Sequence, residues 1–294
     1  NTANTKANIL ITGETGVGKS AVAKAIHAMS NRANGPFIEV NCAVLHENLI
    51  ESELFGYEKG AFTGAASGGK IGKIELANHG TLFLDEIGEL PPHIQSKLLQ
   101  LIQEKTIERL AGNRRIELDF RLIVATNRNL EEEVQRGLFR SDLFYRLNVI
   151  RVHIPPLRQR PEDILPLAHQ FLERFCREYG KQLTFSPRFV SFSEQFSWPG
   201  NVRQLENLME RLVITSQDPV LDTPALPLDY GASPAETPPA AGGTLEERMD
   251  AYEGQIIRDS YRRCRTTVAV AKELGISQAT AARKIAKYVR DKER

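Results

Sequence analysis

The sequence predicts an α/β fold built on a parallel sheet, followed by a small helical domain and then a separate all-α domain. Five short apolar runs alternate with helical patterns up to residue 155, and helical patterns alone continue to residue 217. A proline-rich stretch then leads to a basic, helical C-terminus. We therefore expect domains at 1–155 and 156–217, a linker at 218–243 and a last domain at 244–294.

The strands of the first domain are predicted from apolar runs that lack a two-residue alternation. These runs are NILIT (8–12), FIEVNC (37–42), GTLFLDE (80–86), FRLIVATN (120–127) and VIRVHI (149–154). Continuous apolar runs of this length are typical of strands that are covered on both faces. The sequence therefore predicts a parallel sheet with crossover helices between its strands.

The second domain and the linker are predicted from helical periodicity and proline content. Pro161 fits the first turn of a helix, and apolar residues recur at helical spacing through ILPLAHQFLERFCREYG and NVRQLENLMERLVITS, with no strand run between them. At the start of the latter segment, Arg203 should face away from the apolar stripe, toward solvent or a phosphate. Six prolines among the 26 residues of 218–243 predict a semi-extended linker.

Composition places the chain among globular proteins that fold without covalent crosslinks. Hydrophobic residues make up 41% and charged residues 26% of the 294 positions, a balance that supports a sizeable core. The three cysteines are far apart, so a disulfide framework or zinc site is not expected. This cysteine pattern favours a reducing cytoplasm, and the lack of a membrane-length apolar run or signal pattern predicts a soluble protein. Because the chain lacks an initial Met and begins close to a strand, we expect a fragment of a longer protein.

A phosphate-binding loop is predicted by GETGVGKS, which follows a strand and opens a helix. Its glycines let backbone N–H groups approach a phosphate, Lys19 should reach the β- and γ-phosphate oxygens, and Ser20 should ligate Mg²⁺. The alternative is a structural glycine turn, which the flanking strand and helix disfavour. The residues predicted to bind a nucleotide are Gly13, Glu14, Thr15, Gly16, Val17, Gly18, Lys19 and Ser20.

Two acidic residues and an asparagine end successive strands of the predicted sheet. Asp85 and Glu86 end one strand at the carboxyl edge, where ligands bind in open α/β folds. Asp85 suits Mg²⁺ coordination, and Glu86 suits polarising a water for in-line attack on a γ-phosphate. Asn127 ends the next strand and suits orienting that water or sensing the phosphate, although an isolated asparagine there is more often a turn former.

Two arginines, Arg140 and Arg146, lie six residues apart in GLFRSDLFYRLNV, beside an apolar stripe of Phe and Leu. An arginine supplied by another subunit commonly completes phosphoryl transfer, so both arginines are candidates for that role. Surface salt bridges are the alternative, and these residues alone do not decide between the two interpretations.

Four stretches point to one family: ESELFGYEKGAFTGA, TLFLDEIGELP, FRSDLFYRLNV and WPGNVRQLENL. Over residues 5–217 the chain resembles the AAA+ central domain of bacterial enhancer-binding proteins, the activators of sigma-54 RNA polymerase. The hexapeptide GAFTGA at 60–65 is the signature of this family. The resemblance implies a P-loop NTPase with a helical lid that hydrolyses ATP with Mg²⁺. It also implies a homo-oligomeric ring, usually hexameric, with ATP at each subunit boundary.

The resemblance implies roles for individual residues as well. Phe62 and Thr63 would lie at the tip of a loop inserted in a helix and would contact the sigma factor. Asn41 would restrain Glu86 until the nucleotide state changes. Ser20 departs from the residue frequent in the family but is, if anything, the better Mg²⁺ ligand. The remaining implied roles are a first sensor (Asn127), a second sensor (Arg203) and a pair of trans-acting fingers (Arg140 and Arg146).

The C-terminal segment predicts a basic helix-turn-helix. Residues 255–294 carry eleven Lys/Arg and four Asp/Glu, a net charge of +7 against −6 for the rest of the chain. In VAVAKELGISQATAARKIAKY, Val268 and Ala282 should face inward, Gly275 should form the turn and Ser277 should cap the second helix. A basic three-helix bundle for protein contacts is the alternative. The residues predicted to face DNA are Gln278, Thr280, Arg283, Lys284 and Lys287.

This C-terminal module resembles the Fis-like and tyrosine-repressor-like terminal domains attached to the same ATPase family. The resemblance implies salt-dependent binding to double-stranded DNA, as a dimer on a two-fold site. The leading hypothesis is thus an ATP-driven transcription activator that binds an upstream site and remodels sigma-54 RNA polymerase. A DNA-binding repressor that uses the ATPase fold for oligomerisation is the main alternative, and a helicase or general remodeller is a third.

Overall fold

The computed structural model describes residues 5, 7–44, 47–61, 68–222, 245–264 and 266–290. The chain divides into two compact units, Asn1–Pro224 and Ala225–Arg294. The first unit contains a sheet with helices and a lid (residues 156–222), and the described part of the second unit is helical.

Each of the five predicted runs supplies one strand of the central sheet. The strands of the first unit are β1 (Ile9–Thr12), β2 (Phe37–Asn41), β3 (Gly56–Tyr57), β4 (Lys70–Ile71), β5 (Thr81–Asp85), β6 (Thr106–Glu108), β7 (Arg115–Glu117), β8 (Arg121–Thr126), β9 (Ile150–His153), β10 (Thr184–Phe185) and β11 (Val220–Leu221). Five of them pair in parallel in the order β2-β5-β8-β1-β9. The predicted parallel α/β sheet is therefore confirmed.

Helices of the first unit cover both faces of this sheet. The helices of the first unit are α1 (Lys19–Ala28), α2 (Glu47–Phe55), α3 (Lys73–Leu76), α4 (Pro92–Glu104), α5 (Leu130–Gln135), α6 (Ser141–Leu147), α7 (Ile164–Tyr179), α8 (Pro187–Gln195) and α9 (Asn201–Thr215). Those of the second unit are α10 (Leu245–Cys264), α11 (Thr267–Leu274) and α12 (Gln278–Ile285). Ile9 and Ile11 pack with α1, whereas Leu10 packs on the opposite face with α2, α4 and α6. In the described part of the chain, every helix is too short or too polar to cross a membrane.

The lid consists of α7, α8, α9 and a small strand pair. Pro161 opens a short 3₁₀ turn, and α7 begins at Ile164. The sequence did not predict α8 or the parallel pairing of β10 with β11. Leu221 of β11 is 3% exposed, so the folded lid extends past the expected boundary at residue 217. A two-residue strand is too short to show a periodicity.

The second unit has the three expected helices, but the inward-facing residues of two of them differ from the prediction. Val268 is 61% exposed and Val270 is fully buried, and in the next helix Ala281 is buried whereas Ala282 is exposed. The predicted orientation of Val268 and Ala282 is therefore wrong. Several consecutive apolar residues stand in each helix, so periodicity alone does not select the buried one. Gly275 (φ 64°) ends α11 and the Ser277 hydroxyl accepts from Thr280 N at 3.1 Å, so the predicted turn and cap are present.

Candidate functional site

The segment Gly13–Ser20 joins β1 to α1, in the strand-loop-helix context that a phosphate loop requires. Gly16 has φ 81° and Gly18 has φ 102°, both in the left-handed region that favours glycine. A Cβ atom at Gly16 would lie 2.5 Å from the carbonyl oxygen of Gly200 in the lid, so a larger residue would not fit. Tight backbone turns and close approach to the lid therefore both explain glycine at this position.

Lys19 connects this loop to the acidic pair at the end of β5. Its side chain is 6% exposed, and Nζ donates to the carbonyl oxygens of Gly13 (3.1 Å) and Glu14 (3.4 Å). Nζ also lies 3.4 Å from Glu86 Oε1. The ammonium group is thus held among oxygen atoms at the carboxyl edge of the sheet, where an anionic ligand would be bound.

Glu86 is held by groups from two other segments. Its backbone is left-handed (φ 53°), and its Oε2 accepts from the backbone N–H of Asn127 at 3.1 Å. The Asn127 side-chain amide donates in turn to Thr15 Oγ1 at 3.0 Å. Glu86 and Asn127 are distant in sequence from the phosphate loop that carries Thr15 and Lys19, and the fold brings these groups together in one chain of contacts.

Asp85 has the properties of a cation ligand. Burial and the neighbouring charge of Glu86 raise the pKa of the Asp85 carboxyl. A nearby divalent cation would favour the ionised form, and carboxylate and hydroxyl oxygens are the donors that Mg²⁺ prefers. Ser20, in the first turn of α1, supplies such a hydroxyl. The chemistry of Ser20 and Asp85 therefore fits a bound Mg²⁺ ion.

Asn41, expected to restrain Glu86, ends β2 directly beside Asp85 in the sheet register. Its side-chain oxygen accepts from the N–H of Ala43 at 2.9 Å and so holds a local turn. Glu86 contacts Lys19 and Asn127 instead. The switching role of Asn41 stays a prediction.

Arg140 and Arg146 are both exposed at the surface near α6. The Arg140 guanidinium pairs with both carboxylate oxygens of Asp142, at 3.0 and 2.7 Å, and also donates to Ser96 Oγ at 3.2 Å. Next to Arg146, Tyr145 is 75% exposed. A role toward a second subunit requires that these side chains do not bind the phosphate loop of their own chain. Among the described residues, neither arginine side chain hydrogen-bonds to that loop.

The lid meets the phosphate loop through several polar contacts. The backbone N–H of Arg203, at the start of α9, donates to Gly16 O at 3.2 Å, and its side chain is exposed. Sequence reasoning identified Arg203 but missed Arg158 and Asn201, which both contact Glu14 of the loop. Asn201 directly follows the Pro-Gly turn, a signal that could have drawn attention to it.

The base of the GAFTGA segment is joined to the β6–β7 hairpin. The Arg109 guanidinium, just after β6, contacts Glu58 (3.1 Å) and both carboxylate oxygens of Glu75 (2.9 and 3.0 Å). Leu110 also exchanges backbone hydrogen bonds with Gly56 and Glu58. Phe62 and Thr63, the expected sigma-contacting residues, lie outside the described residues.

The predicted DNA-facing residues of the second unit fall into two groups. Gln278 and Arg283 are exposed, and Thr280 is half-buried beside the cap. By contrast, Lys284 pairs with Glu253 and Lys287 pairs with Asp250, and both acids lie on α10. The hydroxyl of Tyr288 adds bonds to the same acids, at 2.7 Å to Asp250 and 2.8 Å to Glu253. The two lysines are thus engaged within the unit, not free as the sequence suggested.

Comparison with protein families assigns most of the chain. A family model for the sigma-54 interaction domain matches residues 1–153. Models for an AAA+ ATPase lid domain and for a helix-turn-helix domain match residues 158–242 and 242–289. The three matches follow the order of the sheet, the lid and the terminal helices described above.

Curated relatives and a solved structure resemble the chain over nearly its whole length. The nitrogen fixation protein AnfA of Azotobacter vinelandii is 46% identical, with 97% of this chain and 54% of AnfA covered. The regulatory protein AtoC of Escherichia coli (strain K12) is 45% identical, with 96% of this chain and 63% of AtoC covered. The crystal structure of NtrX from Brucella abortus in complex with ATP matches with a TM-score of 0.71 at 34% identity, covering 98% of this chain and 65% of that one. The chain therefore spans between half and two thirds of the length of these relatives.

Proposed function

The chain belongs to the family of sigma-54-dependent transcription regulators with an AAA+ domain, and from this premise we propose that it is an ATP-hydrolysing transcription activator. It hydrolyses ATP to ADP and phosphate in a homo-oligomeric ring, hexameric as the family resemblance implies. It binds an upstream double-stranded DNA site and converts closed complexes of sigma-54 RNA polymerase to open complexes. The loop at 60–65 contacts the polymerase in this reaction.

The observation that carries the ATPase proposal is the chain of contacts from Lys19 through Glu86 to Asn127 and Thr15. In this proposal Lys19 binds the β- and γ-phosphates, and Glu86, whose Oε1 lies 3.4 Å from Lys19 Nζ, polarises the attacking water molecule. Asn127 fixes Glu86 through its backbone N–H and contacts the loop through its side chain. This arrangement supports general-base hydrolysis with a built-in sensor of the phosphate.

Mg²⁺ held by Ser20 and Asp85 would neutralise charge on the phosphate oxygens. The protein residues supply the remaining functions in the proposal. Arg203 contacts the nucleotide from the lid of the same subunit, and Arg140 and Arg146 approach from the neighbouring subunit. Leu138, Tyr145 and Val149 are 56%, 75% and 58% exposed along the same segment as both arginines, and a group of exposed hydrophobic side chains supports a subunit contact at this surface.

Coupling between the nucleotide site and the loop at 60–65 is proposed to run through Arg109. Its guanidinium joins Glu58, just before the loop, to Glu75, which precedes β5 and its terminal Asp85. In this proposal a shift of α3, which leads into β5, is passed through Arg109 to Glu58. Phe62 and Thr63 would carry the motion to the sigma factor.

In vitro transcription with purified sigma-54 holoenzyme, with and without ATP, tests this function. We expect open complexes only with ATP. The variant Thr63→Ala should retain ATP turnover within about twofold but lose open-complex formation. Thr63 is proposed to contact the sigma factor and not the nucleotide, so its removal should not slow hydrolysis. Thr215→Ala, which removes an exposed lid hydroxyl, serves as the matched control and should behave as wild type.

Two outcomes contradict the proposal. Normal promoter opening by Thr63→Ala would overturn the assignment of the loop. A protein that binds ATP and upstream DNA but never hydrolyses ATP would favour the repressor, in which the AAA+ fold serves only for oligomerisation.

A further inference from the structure

The outer side of the phosphate loop is attached to the lid by an unbroken series of hydrogen bonds. Each of four consecutive loop residues has a lid partner. The bonds are Arg158 to Glu14 (2.6 and 2.9 Å), Asn201 Nδ2 to Glu14 Oε2 and Thr15 O (both 3.1 Å), Arg203 N to Gly16 O (3.2 Å) and Arg160 Nη2 to Val17 O (2.8 Å). The ATPase proposal above uses other atoms of this loop, the Lys19 ammonium and Thr15 Oγ1.

Glu14 is the acceptor with the most partners in this series. Its two carboxylate oxygens receive a bidentate pair from Arg158, and Oε2 also accepts from Asn201. Bidentate arginine-carboxylate pairs fix geometry as well as add energy. Hydrogen bonds from Arg158 and then Asn201 lower the pKa of Glu14 to about 2, so this carboxylate is ionised at every pH at which the protein would be assayed.

Asn201 is the buried centre of the contact. It is fully buried, its amide N–H groups reach Glu14 and Thr15, and its Oδ1 accepts from the N–H of Leu157 at 2.8 Å. Its backbone has φ 53°, and Trp198 three residues earlier has φ 48°. Left-handed backbone at non-glycine residues is strained and persists where the surroundings enforce it. The turn before α9 is therefore held in a strained form that presents Asn201 to the loop.

Polar contacts matter here because the apolar cores of the two parts are separate. Among the described residues, the two core clusters that pack on the sheet include no residue of the lid. The lid has its own buried residues, including Trp198, Phe189 and Leu205. The hydrogen bonds to the loop therefore join two separately packed parts and help to set the angle between the lid and the sheet.

We propose that Glu14, Arg158 and Asn201 form a clasp that docks the lid on the phosphate loop before ATP binds. The clasp consists of positioning residues: it acts through Arg203, which lies two residues after Asn201 and is oriented toward the nucleotide only when the lid is docked. This inference rests on the proposed ATPase function. It assigns to Glu14 a role distinct from phosphate binding, on the side of the loop that faces the lid.

The clasp has a specific kinetic consequence. If only a fraction of molecules has the lid docked, the apparent Kd for ATP increases in inverse proportion to that fraction. Saturating ATP restores docking through its own contacts with the lid, so kcat changes little. A residue that merely stabilised the fold would instead reduce the amount of active protein and leave KM unchanged.

Three variants test the clasp on the full chain. Arg158→Ala should raise the KM for ATP about fivefold with kcat within about twofold, the size expected for an exposed ion pair. Arg158→Lys, which keeps the charge but not the bidentate geometry, should recover part of that loss. Asn201→Asp keeps the shape but replaces the donating amide with an acceptor oxygen that faces Glu14 Oε2 and Thr15 O, and should raise KM by at least about tenfold. The matched control is Arg151→Ala, because Arg151 pairs with Glu131 at 2.7 Å with similar exposure but away from the lid.

A second measurement needs no ATP. The N–H of Arg203 is bonded to Gly16 O, so hydrogen exchange at the start of α9 reports docking directly. Exchange there should accelerate about tenfold in Arg158→Ala and in Asn201→Asp, and stay unchanged in Arg151→Ala.

The double variant Glu14→Ala/Arg158→Ala should have no higher KM for ATP and no faster exchange than either single variant, because the two residues act as a unit.

Unchanged KM and unchanged exchange in Arg158→Ala would overturn the clasp, while wild-type ATP turnover would still support the proposed function. Conversely, a wild-type chain without ATP turnover would overturn the proposed function. The clasp would then be judged by the Kd for ATP and by amide exchange, with the same expected changes.

Discussion

The two units of the protein differ in how they hold the lysines that we expect to bind phosphate groups. In the first unit Lys19 is 6% exposed and is surrounded by loop carbonyl oxygens and Glu86, all of them parts of the site itself. In the second unit Lys284 and Lys287 have 24% and 57% of their side chains exposed and pair with acids on α10. Lys19 thus lies inside the candidate nucleotide site, whereas Lys284 and Lys287 are ion-paired with acids of a neighbouring helix.

This difference shows that the formal charge of a segment is not the same as the charge that it presents to a ligand. A phosphate that binds at Lys19 would contact an ammonium group that is already desolvated and that the oxygen atoms of Gly13, Glu14 and Glu86 hold in place. DNA phosphates, in contrast, would have to displace Asp250 and Glu253 from their lysines. The net charge of +7 for residues 255–294 therefore overstates the attraction of the second unit for DNA.

Loss of the proposed catalytic base in the first unit should have the largest effect among the changes that we predict. In Glu86→Gln the carboxylate that we propose as the base is lost, while Lys19 and the loop remain. We expect kcat for ATP hydrolysis to fall about 1,000-fold, within the range for loss of a general base, with the Kd for ATP changed less than about threefold. Steady-state turnover and nucleotide titration measure the two quantities.

The control for this prediction is DNA binding. Because Glu86 lies in the first unit, binding of the variant to the upstream site should equal that of the wild type in an electrophoretic shift. A variant that still hydrolyses ATP at more than a tenth of the wild-type rate would show that another group is the base.

The first unit also shows why much of the site was predictable. Glycines at left-handed positions, a lysine at a fixed offset and acids at a strand end are each required by local geometry, so a short motif identifies them. The contacts of Glu14 with Arg158 and Asn201 were not predictable, since the partners lie 144 and 187 residues away. Nothing local in the sequence marks such a pair, and only the docked lid brings the groups together.

In the second unit the elements were predictable but the faces were not. Gly275 and Ser277 define the turn by their own chemistry, and both take the predicted positions. Val268 was wrongly placed inward because the apolar run from Val268 to Ala271 fits more than one helix face, and the fold buries Val270 and Ala271. The acids of α10 that hold the lysines come from a different helix, and their pairing depends on tertiary packing.

Breaking the second unit should give an intermediate effect. Arg283 is exposed, and no described residue forms an ion pair with it, so it is available to DNA as Lys284 is not. Arg283→Ala should weaken DNA binding about tenfold, as for loss of one specific arginine contact. ATP turnover by the same variant should be unchanged. An equal loss in Lys284→Ala would contradict the distinction between free and paired cations.

Removing the anionic partner of Lys284 should have the smallest effect on DNA binding, and it should strengthen binding instead of weakening it. In Glu253→Gln the residue keeps its size and its hydrogen bond to Tyr288, but Lys284 loses its anionic partner. At present the bond from Lys284 lowers the pKa of Glu253, so the carboxylate is charged at neutral pH and competes with DNA phosphates. We expect DNA affinity to rise about threefold and the slope of log K against log salt to steepen by about 0.9, the value for one additional phosphate contact. Adding Lys284→Ala to this variant should abolish both changes. If affinity rises equally with Lys284 removed, the gain would come from the loss of a negative charge near DNA and not from the release of the lysine.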